Sequence, residues 1–522
     1  MLLGQECPSH CSTDIPVRAL CCRCDAKNGC AQGLDKTVQA TKDMREGLYA
    51  IVGAAGIGED TESYRIGDAL PAAVVTPESE AEVRALMEYA HGGRFPCIVA
   101  GNGTHLTHLS PHERPWWLLS TRRLNRVVDY SPQDLVLTVG AGITLQEVQD
   151  VLREYNQYLP WNPALPTEAT IGGIVSSNRS GSWRYRYGTP RDRLLALRAV
   201  LPDGVAFKSG AKVVKSVAGY DLHRLLCGAW GTLAVITEIT LKVQPAPAQF
   251  EAVGWFTTWQ DLPATLASLM RLPIQPDGIS VAALRGGAFQ GLSGLRAVSQ
   301  VEWEWGEMTS RQTLTVVGAT SEPLSRPRTL TVYGGVGVMD APTLAQPRTL
   351  ASPEPQPQPE TDTSPPLPYV WMEFSGRPEG VPWQVQQLHA QGYPAEPIDA
   401  TQLAHLRDWL APRTHPLLMQ IFLRPNEVGE AMARWTELQG VSAMAHAGSG
   451  VLYVAADASG LSELLIQRVR TLKSKYRVLN GADWLRAHSD GELHRSPLNA
   501  GELRLTHALK NALDERGILP LT

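Results

Sequence analysis

Between about Gly67 and Ala246 the apolar positions alternate between a helical and a strand period, and so predict an α+β domain. Val83, Leu86, Met87 and Ala90 mark one helix face, with Thr76 as N-cap, Pro77 at the first helical position and Gly92-Gly93 as the stop. Cys97–Ala100 reads as a buried strand running into Gly101-Asn102-Gly103-Thr104. Arg126–Tyr130 and Leu135–Val139 read as strands joined by the turn Ser131–Asp134. Thr144 and Glu147 form a capping box for a helix with Leu145, Val148 and Leu152 on one face. Leu194–Val200 and Val205–Phe207 flank the turn Pro202-Asp203-Gly204, a hairpin pattern. Leu233–Val243 is a strand rich in β-branched residues, closed by Pro245 and Pro247.

Beyond Pro247 the pattern loosens. Nine prolines fall between Pro342 and Pro368, a tract with no apolar payload that favours extended conformations. Order returns at the strand patterns Tyr369–Phe374, Leu417–Leu423 and Val451–Ala455 and the helical stretch Leu461–Leu472. A second, smaller α+β domain is therefore expected at 247–522, carrying a flexible proline-rich insert at 342–368. Six of the eight cysteines lie in the first 30 residues, at spacings that lack the paired C-x2-C units of common zinc sites. Residues 1–45 are accordingly expected to be a disordered leader, and no metal site is assigned.

Composition narrows the function. The 522 residues carry 47 Lys and Arg against 52 Asp and Glu, a net charge of −5, which disfavours nucleic acid as the main partner. No apolar stretch approaches the roughly 18 residues of a membrane span, and the first residues lack the basic and apolar regions of a signal peptide. A cytoplasmic protein is expected, touching a membrane only through partners.

Three glycine-rich segments adjoin strands: Val99–Leu106, Ala169–Gly181 and Gly228–Leu241. Glycines at a strand end let backbone N–H groups approach a phosphate closely, and Gly172-Gly173 open a helix whose N-terminus suits an anion. No P-loop is present, and Val52–Gly58 does not match the dinucleotide fingerprint. Singly, each glycine segment reads as a plain tight turn.

Together and in this order, the segments resemble the PCMH-type FAD-binding domain of the vanillyl-alcohol-oxidase superfamily, over 67–246. The resemblance rests on PAAVVTPESEAEVRALMEYA, the loop GNGT, TIGG-x4-N-x-x-G, and VVKSVAGYDLHRLLCGAWGTLAVITEITL. Within that superfamily the chain is similar to the FAD-binding accessory subunit of bacterial glycolate oxidase, again at HAGSGVLYV (His446–Val454) and LKNALDERGIL (Leu509–Leu519). The resemblance implies a two-lobed FAD-binding domain followed by a cap or substrate domain. It implies that Gly101, Asn102, Gly103 and Thr104, with Thr170, Gly172 and Gly173, hold the FAD pyrophosphate. Asn178 and the backbone around Gly231 and Ile236 would lie along the rest of the cofactor. Related catalytic subunits carry an acidic residue where this chain has Trp230, which favours the accessory type. Some superfamily members bind flavin covalently through a His at the position of Thr104; His105 is one residue off, so FAD is expected to be non-covalent.

Oxidation of a 2-hydroxy acid needs a hydride acceptor, a base for the hydroxyl proton and groups that hold the carboxylate. The related catalytic subunits carry H-A-G-D-G-N-x-H, in which histidines serve a metal and substrate site. This chain has Ser449, Val451 and Tyr453 in place of the Asp, the Asn and the second His. His446 is left as a structural residue or a proton acceptor, and His105 and His108 are equally ambiguous. Trp116-Trp117, Trp303 and Trp305 read as core or interface aromatics. The expected protein is an FAD-binding subunit of a glycolate or D-lactate dehydrogenase, working on a small 2-hydroxy acid with a catalytic flavin subunit and an iron–sulfur subunit. The alternatives are a self-sufficient FAD-linked 2-hydroxyacid dehydrogenase and a non-catalytic FAD-bound scaffold.

Overall fold

A strand buried on both faces must lie inside a sheet with cover above and below. The computed structural model, which describes residues 29–58, 60–109, 111–112, 114–213, 220–285, 366–458, 460–482, 484–485 and 500–520, uses this principle three times. The first sheet has four short strands, β1 (Ile57–Gly58), β2 (Val74–Val75), β3 (Cys97–Ala100) and β4 (Trp117–Ser120), in the order β1-β2-β4-β3. β2 and β3 both run parallel to β4, and parallel strands need a crossover. The helix Glu80–Gly93 supplies it, burying Val83, Leu86, Met87 and Ala90 as the spacing predicts. Its N-cap is Ser79, whose hydroxyl accepts from the Glu82 amide at 3.2 Å. Thr76 is not the cap, because its hydroxyl donates to the Gly56 carbonyl instead.

A second correction concerns the leader. The helix Gly29–Val52 begins well before residue 45, and its Met44 and Leu48 are buried in the core of the first sheet. Among the described residues, hydrophobic anchoring of this helix is through Met44 and Leu48. Cys7, Cys11, Cys21, Cys22 and Cys24 lie outside the described residues, as does the side chain of Cys30.

The second sheet is antiparallel, in the order β5-β6-β10-β8-β9, from β5 (Val127–Ser131), β6 (Val136–Gly140), β8 (Leu194–Val200), β9 (Ala206–Gly210) and β10 (Val235–Lys242). β10 is central, which explains its continuous apolar run. The capping box at Thr144 forms, and the helix Leu145–Arg153 buries Leu145, Val148 and Leu152. A two-stranded ribbon, β7 (Gln157–Tyr158) with β11 (Gln244–Pro245), stands beside it.

The third sheet takes the later chain: β12 (Gln249–Phe256), β13 (Gly278–Ala283), β14 (Tyr369–Gly376), β15 (Glu396–Pro397), β16 (Leu417–Phe422), β17 (Val441–His446), β18 (Val451–Ala456) and β19 (Tyr476–Asn480). All eight pair antiparallel in the order β15-β12-β14-β13-β17-β18-β16-β19. Register places Met372, Ile279, Val281, Ala445, Val454, Met419 and Val478 on one face, in the core with Leu266, Met432 and Val469 from three helices. The other face carries Trp371, Glu373, Ser280, Met444, His446, Tyr453, Gln420 and Arg477. Four of these, Ser280, Glu373, Gln420 and His446, are buried polar side chains, so this face is not ordinary core. Trp116 and Trp117 are buried at the start of the first sheet's last-formed strand, as core aromatics. Of the expected insert at 342–368, residues 342–365 lie outside the described residues, as do Trp303 and Trp305.

Candidate functional site

β3 ends at Ala100 and hands the chain to Gly101-Asn102-Gly103-Thr104 at the mouth of a cavity. Gly101, Asn102, Gly103, Thr104, Thr170, Gly172, Gly173, Gly231 and Ile236 all line that one cavity. Close packing forbids side chains here. A Cβ on Gly101 would stand 2.2 Å from Thr170 Oγ1, and one on Gly172 would stand 2.7 Å from the Ala141 carbonyl oxygen. Gly103 has φ +75°, and the turn before β10 has Gly228, Trp230 and Gly231 at φ +89°, +56° and +71°. Trp230 is thus a bulky residue in a region that costs an L-residue about 1–2 kcal/mol.

The two main glycine segments differ in what they offer. Among the described residues, the amides of Asn102, Gly103 and Thr104 donate to no protein acceptor. Buried or half-buried amides normally find partners, so this run suits an anionic group such as phosphate. At the second segment the donors are spent. Ile171 and Gly172 donate to the carbonyls of Ile143 and Ala141, and Gly173 donates to Thr170 Oγ1 at 3.1 Å. That helix, Ile171–Ser177, therefore presents a bare wall rather than an open N-terminus. Asn102 Nδ2 binds the Glu168 carbonyl at 2.9 Å and ties the two segments together. Arg413 secures the first loop from the far side, donating to the Gly103 carbonyl at 2.8 Å.

Asn178 departs from expectation. It is absent from the residues lining the cavity and ends the helix at φ +54°, its Oδ1 accepting from the Arg191 amide and the Cys227 thiol. An asparagine in this conformation is a common C-cap, which the motif spacing could not reveal.

A second cavity, of about 540 Å³, adjoins the first and shares His105 as a wall. It lies against the polar face of the third sheet and contains His446, Tyr453, Arg179 and Glu373. His446 is 6% exposed; its Nδ1 lies 3.3 Å from Ser280 Oγ, and its Nε2 has no partner. Burial, then the charges of Arg179 and Arg184, push its pKa down to about 3, so the ring is neutral. Glu373 is held by Ser182 Oγ at 2.6 Å and by Trp183 Nε1 at 2.6 Å, with Asn162 Nδ2 at 3.3 Å. Burial raises its pKa against those hydrogen bonds. Arg477 lies over the Trp230 ring, 4.8 Å from its centroid. The side chain of His108 is outside the described residues. Sequence reasoning missed Arg179, Glu373, Arg413 and Arg477. Arg179 alone carried a signal, a charge inside a glycine-rich motif; Glu373 and Arg477 are placed by strand register, and Arg413 by the short helical turn Pro412–Thr414.

Comparison with known proteins fits this geometry. The model of the FAD binding domain family matches residues 71–210. The chain is 34% identical to a mitochondrial D-lactate dehydrogenase [cytochrome] of Arabidopsis thaliana, over 42% of this chain and 38% of the relative. It is 35% identical to glycolate oxidase subunit GlcE of Escherichia coli (strain K12), over 29% of this chain and 46% of that one. The chain thus spans about two fifths of the length of these relatives. The fold is shared with p-cresol methylhydroxylase with substrate bound, at TM-score 0.61 and 14% identity over 92% of this chain and 96% of the other. Alkyldihydroxyacetonephosphate synthase superposes at TM-score 0.58 with 16% identity, over 91% and 84%. A cavity walled by glycines, with unclaimed amides at one strand end and this match around it, has one reading: residues 71–210 belong to an FAD binding domain, on a fold shared with p-cresol methylhydroxylase.

Proposed function

We propose that this chain is an FAD-binding subunit of a 2-hydroxyacid dehydrogenase of the glycolate or D-lactate type, with the third sheet as its cap. The carrying observation is the junction of two cavities at His105, one suited to FAD and the other lined by His446, Tyr453 and Arg179. The likeness to D-lactate dehydrogenases and glycolate oxidase subunits supports the substrate class. FAD, when bound, supplies the hydride acceptor. The amides of Asn102, Gly103 and Thr104 hold its pyrophosphate, while Gly101, Thr170, Gly172 and Gly173 let it approach; Gly231 and Ile236 flank the remainder. Attachment is non-covalent, since Thr104 offers no imidazole and binds His105 Nδ1 at 2.9 Å.

Within the complex, a catalytic flavin subunit and an iron–sulfur subunit are the partners. Besides the shared wall residue His105, the second cavity contributes the neutral imidazole of His446, and Tyr453 stands where the related catalytic subunits place a second histidine. A positioned acid–base group is typically worth 10²–10⁴ in rate. The isolated, FAD-loaded chain is therefore expected to reduce its flavin slowly or not at all when mixed anaerobically with glycolate or D-lactate, and co-expressed partners to restore turnover. Rapid bleaching of the flavin band by the isolated chain would instead establish a self-sufficient dehydrogenase. Among the described residues no helix is long and apolar enough to cross a membrane, and any membrane attachment runs through partners.

A further inference from the structure

Resting on the assignment of FAD to the first cavity, we propose that Arg413 is a positioning residue for the cofactor. Together with Ser120 and Tyr64, it holds the carbonyls of the first glycine loop so that the loop's amides face the pyrophosphate. In a trans peptide the carbonyl of one residue and the N–H of the next point in opposite directions. A donor on the carbonyl therefore aims the N–H that follows it. The Gly101 carbonyl accepts from Ser120 Oγ at 2.9 Å and from Tyr64 Oη at 3.4 Å, and the N–H of that peptide belongs to Asn102. The Gly103 carbonyl accepts from Arg413 Nη2 at 2.8 Å, and the N–H of that peptide belongs to Thr104. Neither N–H has an acceptor among the described residues. The loop is thus gripped by its carbonyls and open at its amides.

The three holding residues differ in origin. Ser120 ends β4 and Tyr64 lies on the short turn Glu62–Tyr64; both are buried within the flavin-binding part of the chain. Arg413 comes from outside it, on the turn Pro412–Thr414 between the helix Ala400–Asp408 and β16. Its Nη2 also donates to the Ser63 carbonyl, so one nitrogen ties the Glu62–Tyr64 turn to the glycine loop. Asn480, at the end of β19, fastens the Arg413 turn by donating from Nδ2 to the carbonyls of Pro412 and His415. Thr107 Oγ1, just beyond the loop, donates to the Leu479 carbonyl at 2.7 Å and ties the loop to the same strand.

Charge gives Arg413 its particular part. Among the described residues it has no carboxylate partner, so its cation is spent on the two carbonyls. A hydrogen bond from a cation is stronger than one between neutral groups, and it polarises the peptide that accepts it. The Thr104 N–H thereby becomes a better donor to an anion, although Arg413 itself does not line the cavity. The arrangement also joins the two cavities through one stretch of chain. The helix Ala400–Asp408 walls the second cavity with Leu403, Ala404 and Arg407 and leads into the Arg413 turn. The segment that bounds the second cavity is therefore the one that holds the flavin loop.

The test titrates the flavin-free full chain with FAD, following flavin fluorescence, and records phosphorus NMR spectra of the bound diphosphate. Arg413→Met is expected to bind FAD about tenfold more weakly, as loss of a charged hydrogen bond predicts, while the flavin-free chain melts at an unchanged temperature. At saturating FAD its phosphorus resonances should move toward those of free FAD, with the flavin absorption band in place. Arg413→Lys guards against misfolding: one cationic nitrogen makes both bonds, so lysine should restore most of the affinity and the wild-type phosphorus shifts. Equal FAD affinity in wild type and Arg413→Met overturns the proposal. So does a loss that Arg413→Lys shares in full, or one accompanied by a lower flavin-free melt. Wild type that takes up no FAD removes the flavin reading and the proposal with it. An Arg413-dependent affinity in a chain that yields no 2-hydroxyacid turnover with its partner subunits upholds the positioning role and removes the dehydrogenase reading instead.

Discussion

Gly103 carries three constraints at once: φ at +75°, an amide with no acceptor among the described residues, and a carbonyl held by Arg413. A Cβ there would meet Arg413 Nη2 and Tyr64 Cδ1 at 3.1 Å and Leu106 Cδ1 at 3.2 Å. Gly103→Val must therefore move the loop or push Arg413 away, and either displaces the amides from a phosphate. Reconstituted Gly103→Val is expected to bind FAD at least tenfold more weakly than wild type, read by flavin fluorescence quenching, while the melting temperature of the flavin-free chain changes little. Unchanged affinity would show that this loop does not face the pyrophosphate. The glycine spacing made this residue visible in sequence. It could not distinguish Gly103, with its open amide, from Gly172 and Gly173, whose amides are already consumed.

At the scale of elements, the short helix Arg184–Tyr187 is docked onto β13 and β14 by side chains rather than by apolar area. Arg186 Nη1 binds Asp277 Oδ1 at 2.7 Å, Tyr187 Oη binds the same oxygen at 2.9 Å, and Glu373 takes Ser182 and Trp183 just ahead of the helix. Glu373→Ala would leave two donors, Ser182 Oγ and Trp183 Nε1, without this acceptor, at roughly 1–3 kcal/mol for each buried unsatisfied group, while Asn162 Nδ2 keeps its bond to Ser182 Oγ. The variant is expected to unfold several degrees lower and to lose FAD more readily, as measured by thermal melts with and without added cofactor; an unshifted melt would mean water replaces the carboxylate. The strands themselves were legible within a residue or two, since β3, β8 and β16 are runs of apolar and β-branched residues. Their pairing was not. Glu373 looks apolar-flanked and anomalous in sequence, and its partners lie 190 and 191 residues away along the chain.

Across the whole molecule the chain returns to where it began. The helix Ala500–Leu513 brings Lys510 to the Thr232 carbonyl at 2.7 Å, next to the turn that lines the flavin cavity. Lys510 also pairs with Asp514 at 2.6 Å, and Asp514 accepts from the amides of Ile518 and Leu519. Ile518 and Leu519 are buried in the core of the first sheet, and the Ile518 carbonyl takes the Cys97 amide at 2.8 Å. Lys510→Ala leaves Asp514 enclosed without its cation, a change that typically costs 3–5 kcal/mol. Urea melts should show a loss of that order, with FAD released at lower urea than in wild type; a flavin transition unmoved by the substitution would uncouple the tail from the cleft. The LKNALDERGIL stretch carried a family likeness in the sequence, but nothing in it announced a partner at Cys97.

That closing contact sets an order of events at the ribosome. Cys97 and Ile518 are 421 positions apart, so the strand that presents the first glycine loop waits for this neighbour until 421 further residues are made. At about 5–20 residues per second the delay is roughly 20–80 seconds. During that interval the nascent first sheet has an open edge at β3 and a cleft lacking one of its supports. The supported form of the first glycine loop is therefore expected only after the segment around Ile518 has been made, and flavin capture by the complete cleft follows that step.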